Sequence, residues 1–128
     1  MTGYSLSLII AGGIYHLFFG LFHLSFWRAK FLCWEEELPR MSPANRAVIQ
    51  MLNVAVIVFM FMIAFISFEY SQELITSSLG KVLLLCTSLF WLARLVGEFT
   101  LKARFAVKPA LVVAFAIGIL LYLLPIVI

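Results

Sequence analysis

Four uninterrupted apolar stretches, each as long as a bilayer's hydrocarbon core is thick, decide what this chain can fold into. A spanning helix needs about 20 largely apolar residues, because that core is about 30 Å deep and an α-helix rises about 1.5 Å per residue. The stretches cover about 4–27, 46–68, 82–101 and 109–128. Barrel strands are short and alternate in polarity, so runs this long predict an all-α integral membrane fold. The expected architecture is one four-span domain over 1–128, an up-down-up-down bundle with an amphipathic interfacial loop at 28–45. Composition points the same way, with 65% hydrophobic and 12% charged residues among the 128. Soluble domains carry about 25% charged residues.

Punctuation residues refine the boundaries. Ser42 before Pro43 reads as an N-cap with proline at the first helical position, which starts the second helix ahead of its hydrophobic part. Ser78 is placed to cap the third helix in the same way, and Pro109 falls in the first turn of the fourth. Pro125 stands too close to the end of the fourth stretch to break much. The first stretch lacks a basic leading segment, exceeds the length of a signal-peptide core and is followed by no small-residue cleavage site, so it reads as a retained span.

The basic residues set an expected orientation. The first loop holds Arg28, Lys30, Arg40 and Arg46, and the third holds Lys102, Arg104 and Lys108, whereas the second holds Lys81 alone. Excess Lys and Arg marks cytoplasmic loops. The first and third loops are therefore expected in the cytoplasm and both termini outside, in the cytoplasmic (inner) membrane. The net charge of +3 is spent on this orientation, and nucleic acid is not expected as a partner. In the first loop, Phe31, Leu32, Trp34, Leu38 and Met41 alternate with Glu35, Glu36, Glu37 and Arg40, a mixture suited to the headgroup level with Trp27 and Trp34 as anchors. The three glutamates read as a solvated acidic face rather than a cation site. Cys33 falls in this loop and Cys86 in a span near the opposite face, so they are expected unpaired.

Polar residues at membrane depth carry most of the functional information, because each costs free energy in hydrocarbon unless it faces protein or water. In the first stretch, Gly12, His16, Gly20, His23 and Trp27 recur every three or four residues and form one stripe. The second carries Arg46, Gln50 and Asn53 on one face, and the third Thr87, Trp91, Arg94 and Glu98. Ala110, Ala114 and Gly118 make a packing seam on the fourth. By the helical rise, His23, Gln50 and Glu98 lie about 10 Å from mid-span toward the cytoplasm, and Asn53 and Arg94 about 5 Å. His16 falls near the midplane. The expected ligand-binding cluster is therefore His16, His23, Gln50, Asn53, Trp91, Arg94 and Glu98.

Each member also has a plainer reading. Arg94 and Glu98 are four apart and can form a structural ion pair, or Arg94 can hold an anionic head with its planar fork of donors. His16 and His23 stand about 10 Å apart along one helix, too far to share a metal ion, and there is no third histidine for bis-histidine haem within one chain. No cofactor is expected, and haem or metal through either histidine is the least supported option. Gln50 and Asn53 read as interhelical hydrogen-bonding residues. No nucleotide loop, GxSxG elbow, HExxH or CxxC occurs.

The four-span outline is similar to that of DoxX-like proteins and of the glutathione-linked membrane enzymes of eicosanoid metabolism. The arginine and asparagine between Asn45 and Asn53 resemble the second-helix motif of the latter, but the glutamate of that motif is missing, and no activity is carried over. The leading expectation is a non-catalytic membrane protein whose polar pocket binds a lipid, quinone or other amphiphile, or which braces a membrane-protein partner or a homo-oligomer. The alternative is a membrane-embedded enzyme for a lipophilic substrate, with His23 or Glu98 as acid or base. A third is a proton or ion pathway through His16, His23 and Glu98.

Overall fold

Inside hydrocarbon every backbone N–H and C=O must be paired within the chain, and the α-helix achieves this one segment at a time. The computed structural model describes residues 2–101 and 107–128. Among the described residues it contains six α-helices and no strand. These are α1 (Thr2–Leu24), α2 (Trp34–Glu37), α3 (Pro43–Glu69), α4 (Ser71–Thr76), α5 (Ser78–Thr100) and α6 (Lys108–Val127). Helices α1, α3, α5 and α6 are the four that are long and apolar enough to cross a membrane. Lys102 and Arg104, two of the three basic residues expected in the third loop, lie outside the described residues.

The helix starts follow local chemistry. Ser42 is extended, and its Oγ accepts the backbone N–H of Asn45 at 3.4 Å, with Pro43 opening α3. Helix α5 departs from expectation by one residue. Ser77, not Ser78, is the cap, with ψ of 150° and its Oγ accepting from Gly80 N–H at 2.9 Å. A cap must stand outside the helical backbone region, and Ser78 is already inside it. Gly80 is required for a second reason: a Cβ there would strike the backbone of Glu73 and Leu74 in α4.

Helix α1 is the hub, lying against both α3 and α6, while α5 packs on α6. The small-residue stripe makes this possible, since Gly12, His16, Gly20 and His23 are all buried. Two apolar layers fill the interior. One gathers Phe19, Met60, Trp91 and Phe115, and the other Ile9, Ile63, Leu74, Leu84 and Tyr122. Large apolar side chains such as Phe18, Leu21, Val58, Phe65, Leu89 and Val113 point outward. A polar and small-residue interior inside an apolar exterior is the arrangement a lipid solvent selects.

Helices α3 and α5 are the neighbours that scarcely meet at the backbone. Phe59 and Phe90 bridge them, with ring centroids 4.6 Å apart. On the side of this bridge toward the 28–45 loop, the gap stays open. In the 28–45 loop, Trp34 is buried and meets Phe26 and Trp27 edge-on at 5.8 and 5.5 Å. The turn that brings it there passes through Cys33, whose φ of 52° is the sole positive value among the described residues. Glu35, Glu36 and Glu37 are exposed, as a solvated face requires.

Candidate functional site

The seven residues expected to form one cluster occupy three places. His16 and Trp91 meet in the middle of the packed helices, and both are 0% exposed. Indole Nε1–H of Trp91 donates to Nε2 of His16 at 3.1 Å. Indole nitrogen can only donate, so His16 carries its proton on Nδ1, which donates to the Gly12 carbonyl at 3.0 Å. Both ring nitrogens are thereby occupied, and the ring sits edge-on against Tyr122 at 5.0 Å and Tyr15 at 5.6 Å. This histidine has no free valence for a ligand.

Gln50 lies toward the loop. Its Oε1 accepts from Trp27 Nε1–H at 3.0 Å and its Nε2 donates to the Arg46 carbonyl at 3.0 Å. It ties the end of α1 to the start of α3 and stands apart from the remaining residues.

His23, Asn53 and Arg94 form the third group. Asn53 Nδ2 donates to the His23 backbone carbonyl at 3.0 Å, one of the carbonyls that the end of α1 leaves without an intrahelical partner. Its Oδ1 faces His23 Nδ1 at 2.8 Å. Arg94 arrives from α5 and lies over the Phe115 ring, 5.0 Å from the centroid. These three residues line one cavity of about 250 Å³, whose walls are Phe26, Leu32, Trp34, Ile49, Leu52 and Val56. It occupies the open gap between α3 and α5, with Trp34 folded beneath it.

Arg94 and Glu98, four residues apart, form no ion pair among the described residues. They border a separate cavity of about 240 Å³ with Ala93, Gly97 and Leu101, so Arg94 stands between two openings. Glu98 does not reach the His23 cavity.

Comparison with protein families, curated proteins and solved structures found no match.

Further polar residues complete the interior. Tyr15 O–H donates to the Ala114 carbonyl at 2.7 Å, Tyr122 and Ser67 hydroxyls meet at 2.9 Å, and Ser88 Oγ donates to the Ile119 carbonyl at 3.2 Å. Tyr122 is the missed residue of most consequence, because it extends polar groups away from the loop end beyond His16. A signal existed: Ala114, Gly118 and Tyr122 recur every four residues on α6, so the packing seam continues into a tyrosine. The seam does not begin at Ala110, which is exposed.

Proposed function

We propose that the chain is a small multi-pass membrane protein that binds the polar head of an amphiphile in the gap between α3 and α5. The observation that carries this reading is the composition of one open cleft: His23, Asn53 and Arg94 from three helices, set beside six apolar side chains. Charged residues inside a span mark functional sites more often than charges in soluble proteins do. Arg94 in particular makes no hydrogen bond or ion pair among the described residues, although Glu98 one turn on attracts it. The volume, about 250 Å³, falls just below the roughly 300–1,000 Å³ of pockets that hold whole drug-sized ligands. A headgroup fits, and a tail would run along the outward apolar side chains, of which Leu52 is both cavity wall and exposed surface.

Orientation belongs to the same proposal. Gly13 beside Phe68, Gly20 beside Phe61 and His23 bonded to Asn53 pair rising positions of α1 with falling positions of α3, which supports alternating spans. The first and third loops hold seven Lys or Arg against Lys81 in the second. With those loops in the cytoplasm, the cavity opens in the cytoplasmic half of the inner membrane and both termini lie outside.

The test is native mass spectrometry of the chain extracted in mild detergent, beside Arg94→Leu. A stoichiometric amphiphile on the wild type that is lost from the variant is expected. A bare wild-type chain, or one that arrives only with a second protein, makes Arg94 part of an assembly interface instead.

A catalytic reading draws on a different observation, the free Nε2 of His23 beside an arginine, which is the pairing of a base with a charge stabiliser. Under that reading His23→Ala abolishes turnover of a bound lipid while leaving its binding measurable.

A further inference from the structure

The Asn53 amide can be oriented in one way only. The His23 backbone carbonyl accepts hydrogen bonds and cannot donate, so Nδ2 must face it, 3.0 Å away. Oδ1 therefore faces the ring at 2.8 Å and must be met by a proton on Nδ1. In the neutral imidazole that is the only ring proton, and Nε2 carries a lone pair. Nε2 makes no hydrogen bond among the described residues. Among the described residues no side-chain nitrogen or oxygen shut off from the surface lacks a partner, so Nε2 opens into the cavity that His23 lines. The same reasoning applies to Arg94, whose guanidinium nitrogens have only donors to offer.

The cleft thus presents two opposite groups: the Arg94 guanidinium, whose attracting carboxylate Glu98 borders the other opening and leaves this side to a negative oxygen, and a lone pair that needs an O–H. Resting on the headgroup reading above, we propose that the cleft selects a lipid whose head is a phosphate monoester. That head carries a negative oxygen and an O–H on one phosphorus, since its second ionisation falls at about 6. A carboxylic head offers the charge or the proton, never both together. A phosphodiester offers charge with no proton on the phosphate, and an alcohol or quinol offers a proton without charge. The singly protonated monoester places its O–H on His23 Nε2 and its charged oxygens on the Arg94 fork. Phe26, Leu32, Leu52 and Val56 around the site favour an acyl chain over a water-soluble ester.

The experiment compares binding of dioleoyl phosphatidic acid and its methyl ester, dioleoyl phosphatidylmethanol, to the purified chain in detergent. The two share their chains and a negative phosphate, and differ in O–H against O–CH₃. Phosphatidic acid should bind about tenfold more tightly, the cost of leaving one buried acceptor unpaired. In His23→Phe the two lipids should bind alike. Equal binding to the wild type overturns the monoester assignment and leaves the anionic-head reading standing. A preference that survives in His23→Phe comes from extra charge and also overturns it. If neither lipid binds, both readings fall. Glycerol 3-phosphate is the third arm, and displacement of phosphatidic acid by this soluble ester overturns the assignment to a lipid.

Discussion

Trp91 on α5 hands its indole proton to Nε2 of His16 on α1 at 3.1 Å, and the acceptor ring is fixed from behind by the Gly12 carbonyl at 3.0 Å. The pair joins two helices in a layer where no water can substitute for either partner. Trp91→Phe keeps an aromatic ring among Phe19, Phe90 and Phe115 but leaves Nε2 without a donor. The expected loss is about 1 kcal/mol, the range measured for interhelical hydrogen bonds in membranes. The double variant Trp91→Phe with His16→Leu should lose less than the sum of the two single changes, because no lone acceptor remains. Denaturant titration in micelles gives all three values.

Gly118 and Gly97 make a matched pair of opposite sign. A Cβ on Gly118 would stand 2.8 Å from the Trp91 ring and 2.7 Å from the Tyr15 hydroxyl, whereas nothing among the described residues lies within 4 Å of one on Gly97. The Trp91 ring cannot retreat, since it and Phe115 are fully buried against each other. Gly118→Ala should cost about 1–3 kcal/mol by overpacking, and Gly97→Ala should leave the unfolding midpoint unchanged or raise it. Equal effects would mean that α5 and α6 lie farther apart than the Gly118–Trp91 contact requires.

How far the sequence foretells such contacts depends on what sets them. The burial of Gly12, His16, Gly20 and His23 follows from helical spacing and the need for small residues where helices touch, and both can be read along one strand of text. The partner of Arg94 cannot. Its i,i+4 spacing to Glu98 suggests an ion pair, but the guanidinium lies over Phe115, a residue of another helix whose approach only packing determines. Trp34 is legible as amphipathic and not as buried, because its position depends on the left-handed turn at Cys33. Helical rise puts His23 level with Gln50 and Glu98, about one turn from Asn53 and Arg94, so depth does not single out the trio that lines the cavity, nor the separate engagement of His16 by Trp91 and Gln50 by Trp27.

Asn53 and Gln50 differ in what replaces them. Asn53 is 5% exposed and meets both the carbonyl and the ring of His23, so Asn53→Leu strands an acceptor and a donor together. A loss of about 2 kcal/mol is expected. Gln50 is half-buried near the loop, where water can take the Trp27 N–H, and Gln50→Leu should cost under about 1 kcal/mol. Asn53→Leu should also weaken retention of any bound amphiphile, since the His23 ring loses the contact that holds it toward the cavity. Measuring unfolding and ligand retention on the same two variants separates the structural effect from the effect on the cavity.

The two cysteines supply a built-in test of orientation. Both are free and exposed, but Cys33 sits in the polar loop and Cys86 about 12 Å along α5 by its rise per residue, facing the apolar surround. A thiol reacts with maleimide as its thiolate, a form that needs water, so only Cys33 should react with a membrane-impermeant reagent. With the first loop in the cytoplasm, intact cells should give no labelling and inverted vesicles should label Cys33, with Cys33→Ser removing the signal. Labelling of Cys33 in intact cells would reverse the orientation and move the His23–Arg94 cavity to the outer half of the bilayer. Labelling of Cys86 by the same reagent would show water along α5, and the apolar side chains around it would then have to be covered by something other than lipid.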